Sequence, residues 1–141
     1  MSRHASTTLS QNIASNQLVG IILSEDDTQR NQSLDSVCSE ATLDELNEHL
    51  TTLDAFWRQT DNLYHRVRAL FFLSAINRFY VTRFVADEQP GLIPYGCYKH
   101  LLNRRFTEAI DSLLEVQLDQ GMSDGLSSAL AHAYHLSLIH I

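Results

Sequence analysis

Cysteine, proline and glycine are scarce in this chain of 141 residues, and their scarcity limits the kinds of fold that the chain can adopt. The two cysteines, Cys38 and Cys97, are too few for a disulfide framework or for a metal site built on cysteine pairs. We therefore expect a reducing compartment, the cytoplasm. Both prolines and one of the five glycines fall within 90–94, which predicts a loop over 87–93.

The chain also contains few basic residues and few long apolar runs. Residues 1–62 hold ten acidic residues against three arginines, so the net charge of −7 lies in this part, and residues 63–141 are balanced. Without a basic stripe to meet a phosphate backbone, nucleic acid is not an expected partner. The apolar run Leu18 to Leu23 is too short to cross a bilayer, so no membrane association is expected either, and we predict a soluble protein.

Helical periodicity is what the chain does contain. Thr42 and Glu45 have the spacing of a capping box, which predicts a helix from about 43 to 59. Its apolar side chains recur three or four positions apart and form one stripe: Leu46, Leu50, Leu53 and Trp57. Residues 1–40 show no such periodicity, and we predict that they are mostly disordered, with a short docked helix or strand over 18–23 as the alternative.

Residues 63–85 lack glycine and proline and carry apolar side chains around most of a helical circumference, which predicts a long, buried helix. A buried strand over 70–73 is the alternative, but the length of the run favours a helix. The helix contains an aromatic stripe, for which we predict a role in the core: Phe71, Phe72, Phe79, Tyr80 and Phe84.

Three further helices are predicted, over 94–103, over about 106–120 and from near Leu126 onward. Leu101 and Leu102 are expected to point inward from the first of them. No segment alternates in the manner of a strand for long enough to count, so the predicted class is all-α.

The stretch Arg105-Phe106-Thr107-Glu108-Ala109-Ile110 resembles the opening of the second helix of a tetratricopeptide repeat. Further matches follow in register at Leu130, Ala131 and Tyr134, and Cys97 precedes Ala131 by 34 residues, the period of this repeat class. The resemblance covers about 94–135, with departures at Gly96, His100 and Gly121. It implies antiparallel helical hairpins stacked as a short α-solenoid over 41–135, with an irregular helical bundle as the alternative.

The same resemblance implies a concave, peptide-binding face lined by the first helix of each pair. The residues that it places there, as a peptide groove, are Tyr98, Leu101, Ser128, His132 and His135. Pro94 and Tyr98 occupy the places where some relatives carry a carboxylate clamp, so a chaperone-tail clamp is not predicted.

Catalytic and ligand-binding motifs are weak. No phosphate-binding loop or nucleophile elbow occurs, so no catalytic or cofactor-binding residue is assigned. His132 and His135 have the spacing of two metal ligands but no evident third, and no metal site is predicted. Asp111 and Glu115 are four positions apart on a predicted helix and are interpreted as solvated carboxylates rather than an acid/base pair.

Residues 136–141, Leu-Ser-Leu-Ile-His-Ile, resemble an in-frame translation of a transposon-end sequencing adapter, with a native helical continuation as the alternative. On the first interpretation the domain over 41–135 is a truncated fragment, and its last helix exposes an apolar face that promotes self-association. The predicted function is a non-catalytic module that binds a protein or peptide. The alternative is a helical accessory region of a larger enzyme whose catalytic part is absent from this chain.

Overall fold

The computed structural model describes residues 13, 15–84 and 93–140, and every regular element in them is helical. The predicted all-α class is confirmed. The chain divides into two compact units between Phe72 and Leu73. The domain predicted over 41–135 stays a prediction. The predicted loop over 87–93 lies, apart from Ile93, outside the described residues.

Within its described residues, the first unit contains four complete helices and the start of a fifth. They are α1 Gln17–Leu23, α2 Asp27–Arg30, α3 Leu34–Cys38, α4 Leu43–Gln59 and α5 Leu63–Ala75. In the second unit, α5 is followed by a π-helical turn, Ile76–Tyr80, and a 3₁₀ turn, Val81–Arg83. The remaining helices are α6 Tyr95–Leu102, α7 Phe106–Gln120 and α8 Asp124–Ile139.

The prediction of disorder over 1–40 does not hold for the described residues of that segment, which contain α1, α2 and α3. The docked helix that was the alternative is found instead. Its apolar side chains are buried against α4 and the neighbouring short helices: Leu18, Val19, Ile21 and Ile22. Four apolar side chains in seven residues supply enough buried surface to order a helix that is too short to be stable alone.

Helix α4 has the predicted bounds and the predicted cap. The hydroxyl of Thr42 accepts a hydrogen bond from the backbone N–H of Glu45 at 3.2 Å, and the Glu45 carboxylate accepts one from the N–H of Thr42 at 3.4 Å. Leu46, Leu53 and Trp57 of the predicted stripe are buried, and Leu50 is half-buried. The local signals of this segment therefore determine both its start and its inward face.

The long helix predicted over 63–85 is neither uniform nor buried on all sides. The side chain of Asn77 donates a hydrogen bond to the carbonyl of Leu73, and this competition with the backbone loosens the helical ladder where the π turn begins. Of the aromatic stripe, Phe72 and Tyr80 are buried, whereas Phe71, Phe79 and Phe84 are exposed. The core role predicted for those three is therefore wrong, because an all-round apolar pattern does not show which faces are covered.

Helices α6, α7 and α8 form two consecutive antiparallel hairpins. The ring of Phe106, at the start of α7, stacks on the ring of His140, just after α8, with centroids 5.3 Å apart. The small side chains of Ala109 on α7 and Ala131 on α8 are fully buried. Tyr134 is buried with them.

Helix α8 also packs against the π turn, and the hydroxyl of Ser74, in the last turn of α5, donates a hydrogen bond to the carbonyl of Ala131 at 2.8 Å. The apolar side chains of helix α6 are more exposed to solvent than predicted. Leu101 is half-buried, but Leu102 is 75% exposed, so its predicted inward position is wrong. In the part of the chain that the structure describes, no helix combines the length and the apolar character that crossing a membrane requires.

Candidate functional site

An open cleft of 690 Å³ lies between α6 and α7 of the second unit. The antiparallel pairing brings the first turns of α6 beside the last turns of α7. Each helix contributes part of the lining: Pro94, Gly96, Cys97 and His100 on one side, and Ser112, Glu115, Val116, Leu118 and Asp119 on the other.

The apolar part of the cleft is open to solvent. Leu118 is 89% exposed, and Tyr95, next to the lining residue Pro94, is 73% exposed. Gly96 contributes no side chain to the α6 side of the cleft, and a Cβ built at this position would meet no atom within 4 Å. Within the lining, Leu118 is accompanied by Pro94 and Val116. Contiguous exposed apolar surface, unlike a single exposed side chain, is typical of surfaces that bind another molecule.

The polar part of the cleft is acidic. Glu115 and Asp119 lie one helical turn apart on α7, and both side chains are exposed. The hydroxyl of Ser112 donates a hydrogen bond to the carbonyl of Glu108 in its own helix and so presents no free donor hydrogen to the cleft. The described residues of the lining include no lysine or arginine, which makes the cleft complementary to positive charge.

Cys97 lies at the base of the cleft and is 4% exposed. Burial, and secondarily the negative charge of Glu115, raise the pKa of the Cys97 thiol. A catalytic cysteine needs the opposite shift, because the thiolate is the nucleophile. The direction of this shift does not favour a nucleophilic role for Cys97, although His100 lies on the same wall.

The other titratable residues discussed in the sequence analysis do not come together in a metal-binding or acid/base site. In residues 15–84 and 93–140, no three histidine, cysteine or carboxylate side chains come close enough to hold a metal ion. His132 and His135 are exposed on α8, and Asp111 and Glu115 are exposed on α7. Neither pair is enclosed by surrounding residues.

The five residues of the predicted peptide groove are accessible but do not line the observed cleft. Tyr98 is exposed and Leu101 half-buried on α6, and the other three share one exposed side of α8: Ser128, His132 and His135. Helix α7 packs extensively against both α6 and α8, whereas α6 and α8 have little or no contact with each other. The groove between α6 and α8 therefore stays a prediction.

Comparison of the chain with protein-family models, curated protein sequences and solved structures finds no match. The site is therefore interpreted from its own geometry. Glu115, interpreted from the sequence as a solvated carboxylate four positions from Asp111, lines the cleft together with Asp119 and Cys97. The available signal was the spacing of 115 and 119 on α7, but their common cleft depends on how α6 packs, which the spacing does not show.

Proposed function

We propose that the second unit is a non-catalytic interaction module and that its α6–α7 cleft binds a peptide segment carrying basic and apolar side chains. The observation that carries this proposal is the combination of exposed apolar side chains with two exposed carboxylates and, among the described lining residues, no lysine or arginine. The apolar wall supplies surface to bury, and the carboxylates select the charge of the partner. The thiol form of Cys97 argues against a covalent reaction in the cleft.

The consecutive antiparallel hairpins and the buried Ala109 and Ala131 support the proposal that α6 to α8 follow a tetratricopeptide-like repeat. In such an arrangement each hairpin presents one helical face to a partner. The proposed cleft uses the face between the two helices of one hairpin. The groove predicted from the resemblance would instead use the first helices of two neighbouring hairpins.

A peptide selection tests the proposal with the full chain. Random twelve-residue peptides displayed on phage are selected on the immobilised protein, and enriched peptides are synthesised with a fluorescent label and titrated by anisotropy. We expect lysine or arginine beside apolar residues in the enriched set. Replacing both carboxylates, Glu115→Lys with Asp119→Lys, is expected to weaken binding about tenfold, because two attractive charge pairs become repulsive.

A matched control makes the same change of charge on the same helix outside the cleft, with Glu108→Lys and Asp111→Lys. This control is expected to bind like the wild type. Acidic or purely apolar enriched peptides, or equal effects of the two double variants, would contradict the cleft proposal. If His132→Ala with His135→Ala abolishes binding instead, the interaction function stands and the partner binds the α6–α8 groove.

A further inference from the structure

A side-chain hydrogen bond in the first unit joins two residues that are 33 positions apart in the sequence. Asn16 is the N-cap of α1, and its side-chain Oδ1 accepts hydrogen bonds from the backbone N–H groups of Leu18 at 2.9 Å and Val19 at 3.1 Å. The Nδ2 of the same amide lies 3.0 Å from Nδ1 of His49 on α4. One amide therefore both caps α1 and attaches its start to α4.

The two cap bonds determine the direction of the third bond. Because Oδ1 of Asn16 already accepts from two backbone groups, the atom facing His49 is the amide nitrogen, which can only donate. Nδ1 of His49 must then accept, so it carries no proton and the imidazole is neutral. Protonation of Nδ1 would place two donors face to face.

The surroundings of His49 also favour the neutral ring. Burial lowers the pKa of His49, and the opposing influence of Glu48 and Glu45 on its own helix is the smaller effect. Helix α1, which packs against α4, carries no acidic or basic side chain over Gln17–Leu23 that could compensate a positive ring. The hydrogen-bond geometry and the electrostatics therefore agree.

We propose that the Asn16–His49 contact is proton-sensitive, so that α1 is held on α4 when His49 is neutral and is loosened when His49 takes up a proton. Loosening would expose the apolar side of α1, which is almost fully buried: Leu18, Val19, Ile21 and Ile22. The chain would thus present a new apolar surface in mildly acidic surroundings and withdraw it at neutral pH.

The direction of the pH dependence follows from the two protonation states. Because the folded-state pKa of His49 lies below the ordinary value of 6.5, the unfolded chain binds more protons between the two values. The stabilising contribution is therefore complete above about pH 6.5 and decreases as the pH falls below it. It stops changing once the pH is below the folded-state pKa.

Amide hydrogen exchange tests the proposal directly, because the N–H groups of Leu18 and Val19 donate to Asn16. After correction for intrinsic exchange rates, their protection at pH 5 is expected to be about three- to tenfold lower than at pH 7.5, the factor that one lost hydrogen bond typically gives. His49→Asn offers an amide oxygen near the place of Nδ1 that accepts at either pH. This variant is expected to keep the protection at pH 5.

A control variant, His132→Asn, removes an exposed histidine of α8 and is expected to retain the wild-type pH dependence. Equal protection at the two pH values in the wild type, or the same loss at pH 5 in His49→Asn, would overturn the proposal. If His49→Asn does not fold, an NMR titration of the wild type decides. The Leu18 and Val19 amides must then titrate with the same midpoint as the His49 ring, and a different midpoint refutes the coupling.

Discussion

At the scale of single residues, the chemistry of Cys97 depends on a neighbour from another helix. Glu115 lies on α7 and Cys97 on α6, and both line the same cleft. Burial is the main reason that the thiol pKa is raised, and the carboxylate adds to the shift because a thiolate beside it would be a second negative charge.

Removing this carboxylate charge, with Glu115→Gln, is therefore expected to lower the pKa of Cys97 without returning it to the ordinary value, since the effect of burial remains. The measurement is the rate of iodoacetamide labelling as a function of pH, followed for each cysteine by mass spectrometry. The midpoint for Cys97 should move to lower pH. Glu108→Gln on the same helix is the control, and an equal shift in both variants would show that Glu115 has no specific influence.

A second residue pair, Asn16 and His49, shows a limit of sequence reasoning. The missing periodicity over 1–40 predicted disorder at Asn16, and nothing local in the sequence identifies His49 as its partner. The contact exists because α1 packs on α4. Periodicity describes one helix at a time and does not specify which helices meet.

At the scale of helices, several helix starts depend on hydrogen bonds between nearby side chains and the backbone. The start of α5 is an example, because the side chain of Asn62 accepts a hydrogen bond from the N–H of His65 at 3.1 Å. Helix α8 begins at Asp124, earlier than the predicted start near Leu126, because the Ser123 side chain caps it by accepting a hydrogen bond from the N–H of Leu126.

The turn between α7 and α8 depends on the backbone freedom of Gly121, which has φ +82° and ψ 179°. A Cβ at this position would meet no atom within 4 Å, so only the backbone conformation opposes a side chain. Gly121→Ala is expected to reduce the free energy of unfolding by about 1–3 kcal/mol, because this region of backbone conformation is nearly restricted to glycine.

Gly20 provides the matched control, since it lies inside α1 and a Cβ there also meets no atom within 4 Å. Gly20→Ala is expected to raise the free energy of unfolding by about 0.5–1 kcal/mol through helix propensity. Urea denaturation of both variants measures the difference. Loss of stability in both, or in neither, would show that the φ of Gly121 does not determine the outcome.

At the scale of the whole molecule, each of the two units has its own buried apolar residues. In the first unit, Leu46 and Leu53 of α4 and Leu18 of α1 are fully buried, and in the second unit Ile110 and Leu113 of α7 are. Burial of such side chains is the main source of folding free energy.

Truncation of one of these side chains, Leu53→Ala, is expected to reduce the free energy of unfolding by about 2–5 kcal/mol, because it removes apolar contacts and leaves a cavity. Leu23→Ala is the control. Because Leu23 is 47% exposed, its truncation should reduce the free energy of unfolding much less. The readout is amide exchange of residues 15–72 together with urea denaturation. Similar losses for the two variants would contradict the assignment of Leu53 to the core.

The sequence by itself determined the helical class, the bounds of α4 and α7 and the inward stripe of α4, because these depend on hydrogen bonds and side-chain spacing within a few residues. Tertiary packing alone decided the exposure of Phe71 and Phe79, the pairing of Glu115 with Cys97 in a cleft, and the contact of Asn16 with His49. The physical reason is distance along the chain. A helix forms from local interactions, whereas the burial of its faces depends on partners tens of residues away.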